Sequence, residues 1–120
     1  MKKAFLFPGQ GSQFIGMGKE LASQFEVARD VFSEVDEALG ERLSALMFRG
    51  DIEELTSTKN AQPAIMAVSI AILRVMSFNG LDLKTIDLLA GHSLGEYSAL
   101  CASGAISLRD TAIILSLIHI

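Results

Sequence analysis

Residues 86–97 read IDLLAGHSLGEY, an apolar run followed by a serine bracketed by glycines at G-x-S-x-G spacing. Few patterns restrict a fold as tightly. The form is strand, sharp turn, helix, with Ser93 at the turn. A bend that tight leaves no room for a side chain two residues to either side, which is why Gly91 and Gly95 stand there. Such a turn lifts the Ser93 hydroxyl clear of the backbone. A helix opening at Leu94 directs backbone N–H groups and the positive end of its dipole toward the place where an oxyanion would form. A serine nucleophile is the functional reading. A chance G-x-S-x-G in a glycine-containing loop is the plain alternative, and the rest of the chain decides between them.

A second strand signal stands at 3–7, KAFLF, halted by Pro8-Gly9 and feeding GQGSQ at 9–13. Neither this run nor 86–90 alternates with polar residues, which predicts strands buried on both faces. Between them, helical spacing appears at 16–25 (Met17, Leu21, Phe25) and at 27–39 (Val27, Val31, Phe32, Val35, Leu39), the latter ended by Gly40. Residues 41–57 predict short helical turns, with Asp51 as an N-cap ahead of Glu53 and Glu54. Residues 64–76 are apolar almost all round, Ser69 and Arg74 excepted, so this helix belongs inside a protein. Pro63 suits its N1 position, Gln62 its cap, and Asn79-Gly80 its end. Past the serine turn, Ser103-Gly104 makes a break. Ser107 to Asp110 then has the S-x-x-D form of a capping box. Strand, helices, strand, turn, helix is an α/β order with parallel strands.

The 120 residues suffice for one small domain or a piece of one. Residues 113–120, IILSLIHI, are apolar on every side, with no charged last turn, glycine stop or proline beyond. The expectation is therefore a chain cut mid-helix, either a fragment or one that carries a foreign tail at 113–120. A net charge of -4 and no basic cluster beyond Lys2-Lys3 argue against nucleic acid as a partner. The apolar run after Lys3 stops at Pro8-Gly9, too soon for a signal peptide. The longest uncharged apolar stretch, 60–73, falls short of the ~18 residues of a membrane span. A single cysteine, Cys101, has no disulfide partner and no metal-binding spacing. The expected protein is soluble and cytoplasmic, without membrane association, metal or cofactor.

Acyl transfer through serine needs a nucleophile, a base to take its proton, and two donors for the oxyanion. Ser93 is the first, and the Leu94 N–H is one donor by following it. GQGSQ leaves the C-terminal end of a predicted strand, as the serine turn does, and ligands bind at that edge of open α/β sheets. The Gln10 N–H is the second candidate donor, with Gly9 and Gly11 permitting close approach of a substrate. A simple strand-to-helix turn and a phosphate cradle remain as alternatives for this loop, although the G-x-G-x-x-G and GK[ST] spacings are missing. The base is harder to find. Of the two histidines, His92 adjoins Ser93, where successive side chains leave a tight turn in different directions. It reads as a packed, hydrogen-bonded residue of the turn. His119 lies in the tail. Glu96 reads as a structural carboxylate favoured by the helix dipole.

FPGQGSQ, TKNAQPA and AGHSLGEYSAL, in that order and at these separations, resemble malonyl-CoA:acyl carrier protein transacylases of bacterial fatty acid synthesis. The likeness runs from Ala4 to about Ala112, and acyltransferase domains of polyketide and fatty acid synthases share it. It implies an α/β-hydrolase-like subdomain, with the inserted ferredoxin-like subdomain missing from this chain, and a protein that is a monomer at full length. It implies Ser93 as acyl acceptor, Gln10 and Leu94 as oxyanion donors, and Gln62, Gly9, Gly11 and His92 beside the substrate. Malonyl-CoA and an acyl carrier protein bearing phosphopantetheine are the implied partners. The family's catalytic histidine lies downstream of this sequence, and the position of its carboxylate-binding arginine falls on Ile118. The chain as written is thus expected to transfer little. A non-catalytic acyl- or pantetheine-binding fragment and a thioester hydrolase stand as alternatives.

Overall fold

The computed structural model describes residues 2–117. Two strands, β1 (Ala4–Phe7) and β2 (Leu88–Gly91), run parallel, in a register that sets Ala4 against Leu88 and Phe7 against Gly91. Asp87 extends the pairing, its backbone N–H donating to the Lys3 carbonyl at 2.9 Å and its carboxylate accepting from the Lys3 N–H at 2.7 Å. Between the strands lie α1 (Lys19–Gln24), α2 (Glu26–Leu39), α3 (Leu43–Arg49), α4 (Ile52–Thr56) and α5 (Thr58–Phe78). A 3-10 turn at Leu83–Thr85 leads into β2, and α6 (Leu94–Ala102) and α7 (Leu108–Leu117) follow it.

Helix α5 is the axis of the packing, in contact with α2, α6 and α7. Its Ala64, Ile65, Met66, Ala67, Ile70 and Ala71 are buried against Val31, Phe32 and Val35 of α2 and Leu108, Ala112 and Leu115 of α7. Each large apolar side chain buried in this way contributes ~1.5–3 kcal/mol. The apolar circumference legible at 64–76 is thus a consequence of helices on several sides. Across 18 residues α5 has a mean hydropathy of 1.6, enough by length and composition for a membrane span, but 56% of that window is buried within the fold. Its place is the core of the helical layer.

Several expected signals stand where the sequence put them. Gly40 ends α2 in the left-handed region at φ 65°. The Asp51 carboxylate accepts from the Glu53 N–H at the start of α4, and the Ser107 hydroxyl accepts from the Asp110 N–H at the start of α7.

Three expectations need correction. Pro63 is not at N1: α5 begins at Thr58, after Ser57, and carries Pro63 in its second turn, with Gln62 inside the helix and not at its cap. The Asn60 side chain donates to the Glu54 carbonyl at 2.9 Å, and the Asn60 and Ala61 N–H groups both bond the Ser57 carbonyl. This anchored first turn carries the helix back past a proline whose missing N–H costs one backbone bond. The strands are not buried on both faces either. Phe5, Phe7 and Leu89 pack toward Leu73 of α5 and Ala99 of α6, whereas Leu6 and Leu88 are 78% and 56% exposed. Helices cover one side of this two-stranded sheet, so apolar runs without alternation have one free face. Finally, the first helix starts at Lys19 and not at residue 16, because Gly16 and Gly18 both adopt positive φ, leaving Met17 buried in the turn ahead of it.

Candidate active site

Parallel pairing of Phe7 with Gly91 puts the ends of β1 and β2 side by side, so Pro8-Gly9-Gln10 and His92-Ser93-Leu94 leave the same sheet edge. Glycines let them leave it in contact. A Cβ at Gly91 would stand 2.1 Å from the Gly95 carbonyl carbon, and one at Gly95 would stand 2.2 Å from the Phe7 carbonyl oxygen. Those separations exclude any side chain at either position. The G-x-S-x-G spacing is therefore a packing requirement of helix α6 against the ends of both strands.

The turn itself is specific. Ser93 has φ 56° and ψ -113°, and the Gly95 N–H donates to the His92 carbonyl at 3.0 Å. A four-residue turn closed by that bond, with its second residue in this region, has type II′ geometry, which favours glycine at that position. Ser93 is the single non-glycine residue at positive φ among the described residues. Strain of this kind persists where the surroundings over-determine the backbone, and it clusters at functional sites. The Ser93 side chain is exposed, and α6 starts at the next residue. Leu94 buries its own side chain to 2% exposure and so pins the first turn of α6 in the core.

On the facing loop, the Ser12 hydroxyl donates to the Gly9 carbonyl and the Gly11 N–H donates to the Gln13 side-chain oxygen, both at 2.9 Å. Gly9 abuts the His92 carbonyl so closely that a Cβ there would lie 2.9 Å from it. Gln10 reaches across to α5, where its amide nitrogen donates to Thr58 Oγ1 and its oxygen accepts from Gln62 Nε2, each at 3.4 Å. Among the described residues, no acceptor takes the backbone N–H of Gln10 or of Leu94. Two unengaged donors thus sit on adjoining loops at one sheet edge.

The structure brings Gly9, Gln10, Gly11, Gln62, His92, Ser93 and Leu94 into this region of two loops and the start of α5. His92 is not packed as expected. Its side chain is exposed, and the hydrogen bonding at this residue comes from its carbonyl. The tight turn throws the ring outward while the main chain folds in. His119 and Ile118 lie outside the described residues, so neither a base nor a carboxylate anchor is placed by them. Thr58 is the participant that sequence reasoning missed, although its position four residues before Gln62 puts both on one helix face. Among the described residues no cluster of metal-ligating side chains occurs. An apolar cavity of about 420 Å³ opens between β1 and α5, lined in part by Leu6, Phe14, Ile65 and Ile72. It lies beside the sheet, and neither Ser93 nor Gln62 lines it. Cys101, half-buried on α6, has its thiol pushed up by burial, an effect partly offset by a hydrogen bond with Thr111 and by the Arg74 charge.

Comparison with known proteins gives a consistent result. The model of the acyl transferase domain matches residues 4–118. Malonyl CoA-acyl carrier protein transacylase of Bacillus subtilis (strain 168) is 60% identical over 109 residues, which are 91% of this chain and 33% of that protein. The chain thus spans about a third of the length of such relatives. The crystal structure of acyl-carrier-protein-S-malonyltransferase from Bartonella henselae superposes with a TM-score of 0.94 at 61% identity, covering 97% of this chain and 37% of that one. A malonyl-transacylase in complex with a type II PKS acyl-carrier protein superposes with a TM-score of 0.92 at 44% identity, over 98% of this chain and 37% of that one. With the family model covering nearly its whole length, this chain belongs to the acyl transferase domain family.

Proposed function

We propose that the chain carries the acyl-accepting portion of a malonyl-CoA:acyl carrier protein transacylase, with Ser93 as nucleophile on a nucleophile elbow and the Gln10 and Leu94 N–H groups as the oxyanion hole. The observation that carries this reading is the type II′ turn at Ser93, a glycine conformation held by serine, beside two unengaged N–H donors. The relatives' names supply the acyl group and the acceptor, malonyl and acyl carrier protein.

The chemistry follows from the groups in place. Ser93 Oγ attacks the thioester carbonyl carbon of malonyl-CoA, its proton passing to a base, and the carbonyl oxygen becomes an oxyanion. Two backbone N–H groups aimed at that oxygen stabilise it more than they stabilise the ground-state carbonyl, which is where the rate gain lies. The C–S bond then breaks, coenzyme A leaves as a thiol after taking a proton, and malonyl remains as an ester on Ser93. A phosphopantetheine thiol on the carrier protein reverses the sequence and releases the serine. A base and a cation for the malonyl carboxylate are needed for speed, and the resemblance assigns neither to a described residue. Loss of a general base costs ~10²–10⁴-fold, so this chain alone acylates slowly and turns over poorly.

Intact-mass measurement of the chain during incubation with malonyl-CoA tests the reading. A slowly accumulating malonyl adduct, absent in Ser93→Ala, is the expected result. Binding of malonyl-CoA with no adduct in the parent chain would instead mark a non-catalytic acyl-binding fragment. Thioester hydrolysis without carrier protein would mark water as the acceptor.

A further inference from the structure

Gln62 resembles a substrate ligand by its place near the loops, but its surroundings say otherwise. It is 4% exposed, so its amide is withdrawn from the open edge where Ser93 stands. Its Nε2 donates to Gln10 Oε1 at 3.4 Å, while the other end of the Gln10 amide donates to Thr58 Oγ1. Thr58 and Gln62 stand one helical turn apart on α5 and hold both ends of one side-chain amide. That arrangement gives each end of the amide a partner on one rigid element. Helix α5 is the most deeply packed element of the fold, whereas the loop from Gly9 to Gln13 is mostly exposed and held by short-range bonds between its own residues. A loop of that kind needs a rigid neighbour if its backbone is to aim at a reacting atom.

We infer that Gln62 and Thr58 are positioning residues that act through the Gln10 side chain, holding the Gln10 N–H toward the carbonyl oxygen of the acyl group on Ser93. This inference rests on the reading of Gln10 as an oxyanion donor. The bonds to α5 restrain the loop in the free protein, so the oxyanion hole is formed before the acyl donor arrives. Preorganisation of this sort raises the acylation rate without strengthening ground-state binding. A glutamine contacting coenzyme A or malonyl directly would do the reverse.

The test compares the parent chain with Gln62→Met, which keeps the length of the side chain but offers no donor, with Gln10→Ala, and with the double variant. The measurements are the rate of malonyl adduct formation by intact mass, the Kd for malonyl-CoA by calorimetry, and backbone amide exchange resolved to residues 9–13. Gln62→Met is expected to slow acylation by between about 10- and 100-fold, the scale of a misplacement near 1 Å, with Kd unchanged. Exchange at Gly9 and Gly11 to Gln13 should accelerate while that of α2, α5 and α7 stays as in the parent. The double variant should be no slower than the slower single variant, because both changes cut the same link. A weakened Kd would make Gln62 a substrate contact and overturn the inference, as would multiplicative losses in the double variant or unchanged exchange in the loop. If the parent chain forms no adduct, the acyl-transfer reading fails. The restraint of the loop by Gln62 is still decided by the exchange measurement.

Discussion

Replacing Ser93 by glycine should stabilise this protein while removing the proposed nucleophile. At φ 56° and ψ -113° the residue occupies a region open to glycine and strained for any residue with a Cβ. Holding a non-glycine residue in such a region costs ~1–3 kcal/mol. Against the relief stands the greater freedom of glycine in the unfolded chain, worth ~0.5–1 kcal/mol. Ser93 is exposed and its hydroxyl makes no hydrogen bond among the described residues, so no packing or polar partner is lost with it. The net gain is about 0.5–2 kcal/mol. Ser93→Ala is the matched control, because it removes the hydroxyl but keeps the Cβ and hence the strain. With an m-value of ~1–3 kcal/mol/M, the urea midpoint of Ser93→Gly should exceed that of Ser93→Ala by roughly 0.2–2 M, with m unchanged. Both should lack the malonyl adduct. A glycine variant no more stable than the alanine variant would mean that the turn is not strained at Ser93, and the argument from stored strain to function would collapse.

Further outcomes follow from the same contacts. Gly95→Ala would press a Cβ to 2.2 Å from the Phe7 carbonyl oxygen, which only movement of α6 away from β1 can relieve. A loss of about 3 kcal/mol or more is expected in urea unfolding, and a loss under about 1 kcal/mol would contradict the geometry. Asp36 accepts from both the backbone N–H and the hydroxyl of Ser44, capping α3 from α2. Asp36→Ala should cost about 1–2 kcal/mol, read from the same unfolding curves. Burial raises the Cys101 pKa, so less thiolate is present at neutral pH than in a free thiol. Alkylation of Cys101 by iodoacetamide at pH 7.5 should be several-fold slower than that of a cysteine peptide, and should speed up on raising the pH or on adding urea. Equal rates in the folded chain and the peptide would show that the thiol is not shielded.

Much of the fold was legible because local chemistry and tertiary context agree over most of this chain. Gly40, Asp51 and Ser107 end or begin helices through backbone conformation or side-chain bonds that operate within a few residues. Pro63 misled because its own preference for a first turn is local, whereas the bonds that extend α5 back to Thr58 come from Asn60 reaching Glu54 and from the Ser57 carbonyl. The apolar runs of β1 and β2 misled differently. A run without alternation reports that both faces of a strand suit an apolar environment, but covering them takes other elements, and α5 and α6 cover one face. Leu6 and Leu88 are left in solvent by what lies beside the sheet and not by anything in the strands themselves.

The site shows the same division between what a residue wants and what its neighbours impose. The glycines of G-x-S-x-G could be deduced from steric reasoning, since a bend that tight excludes side chains at both flanks. The conformation of Ser93 could not, because serine by itself avoids it, and the bond from the Gly95 N–H to the His92 carbonyl, the pairing of Phe7 with Gly91 and the burial of Leu94 together hold the turn closed. The role of Gln62 was hidden for a related reason. A glutamine inside an apolar helix gives no sign of which loop will come to meet its amide, and Thr58, its companion on the same face, is an ordinary residue of a first turn. What makes the pair significant is that Gln10 stands three residues beyond Phe7 as Leu94 stands three residues beyond Gly91. The parallel register therefore delivers both N–H groups to one edge, and the helix that forms the core bonds the side chain of Gln10 there. On the proposed reading, the capacity of this chain to accept an acyl group depends on the packing of α5 as much as on Ser93.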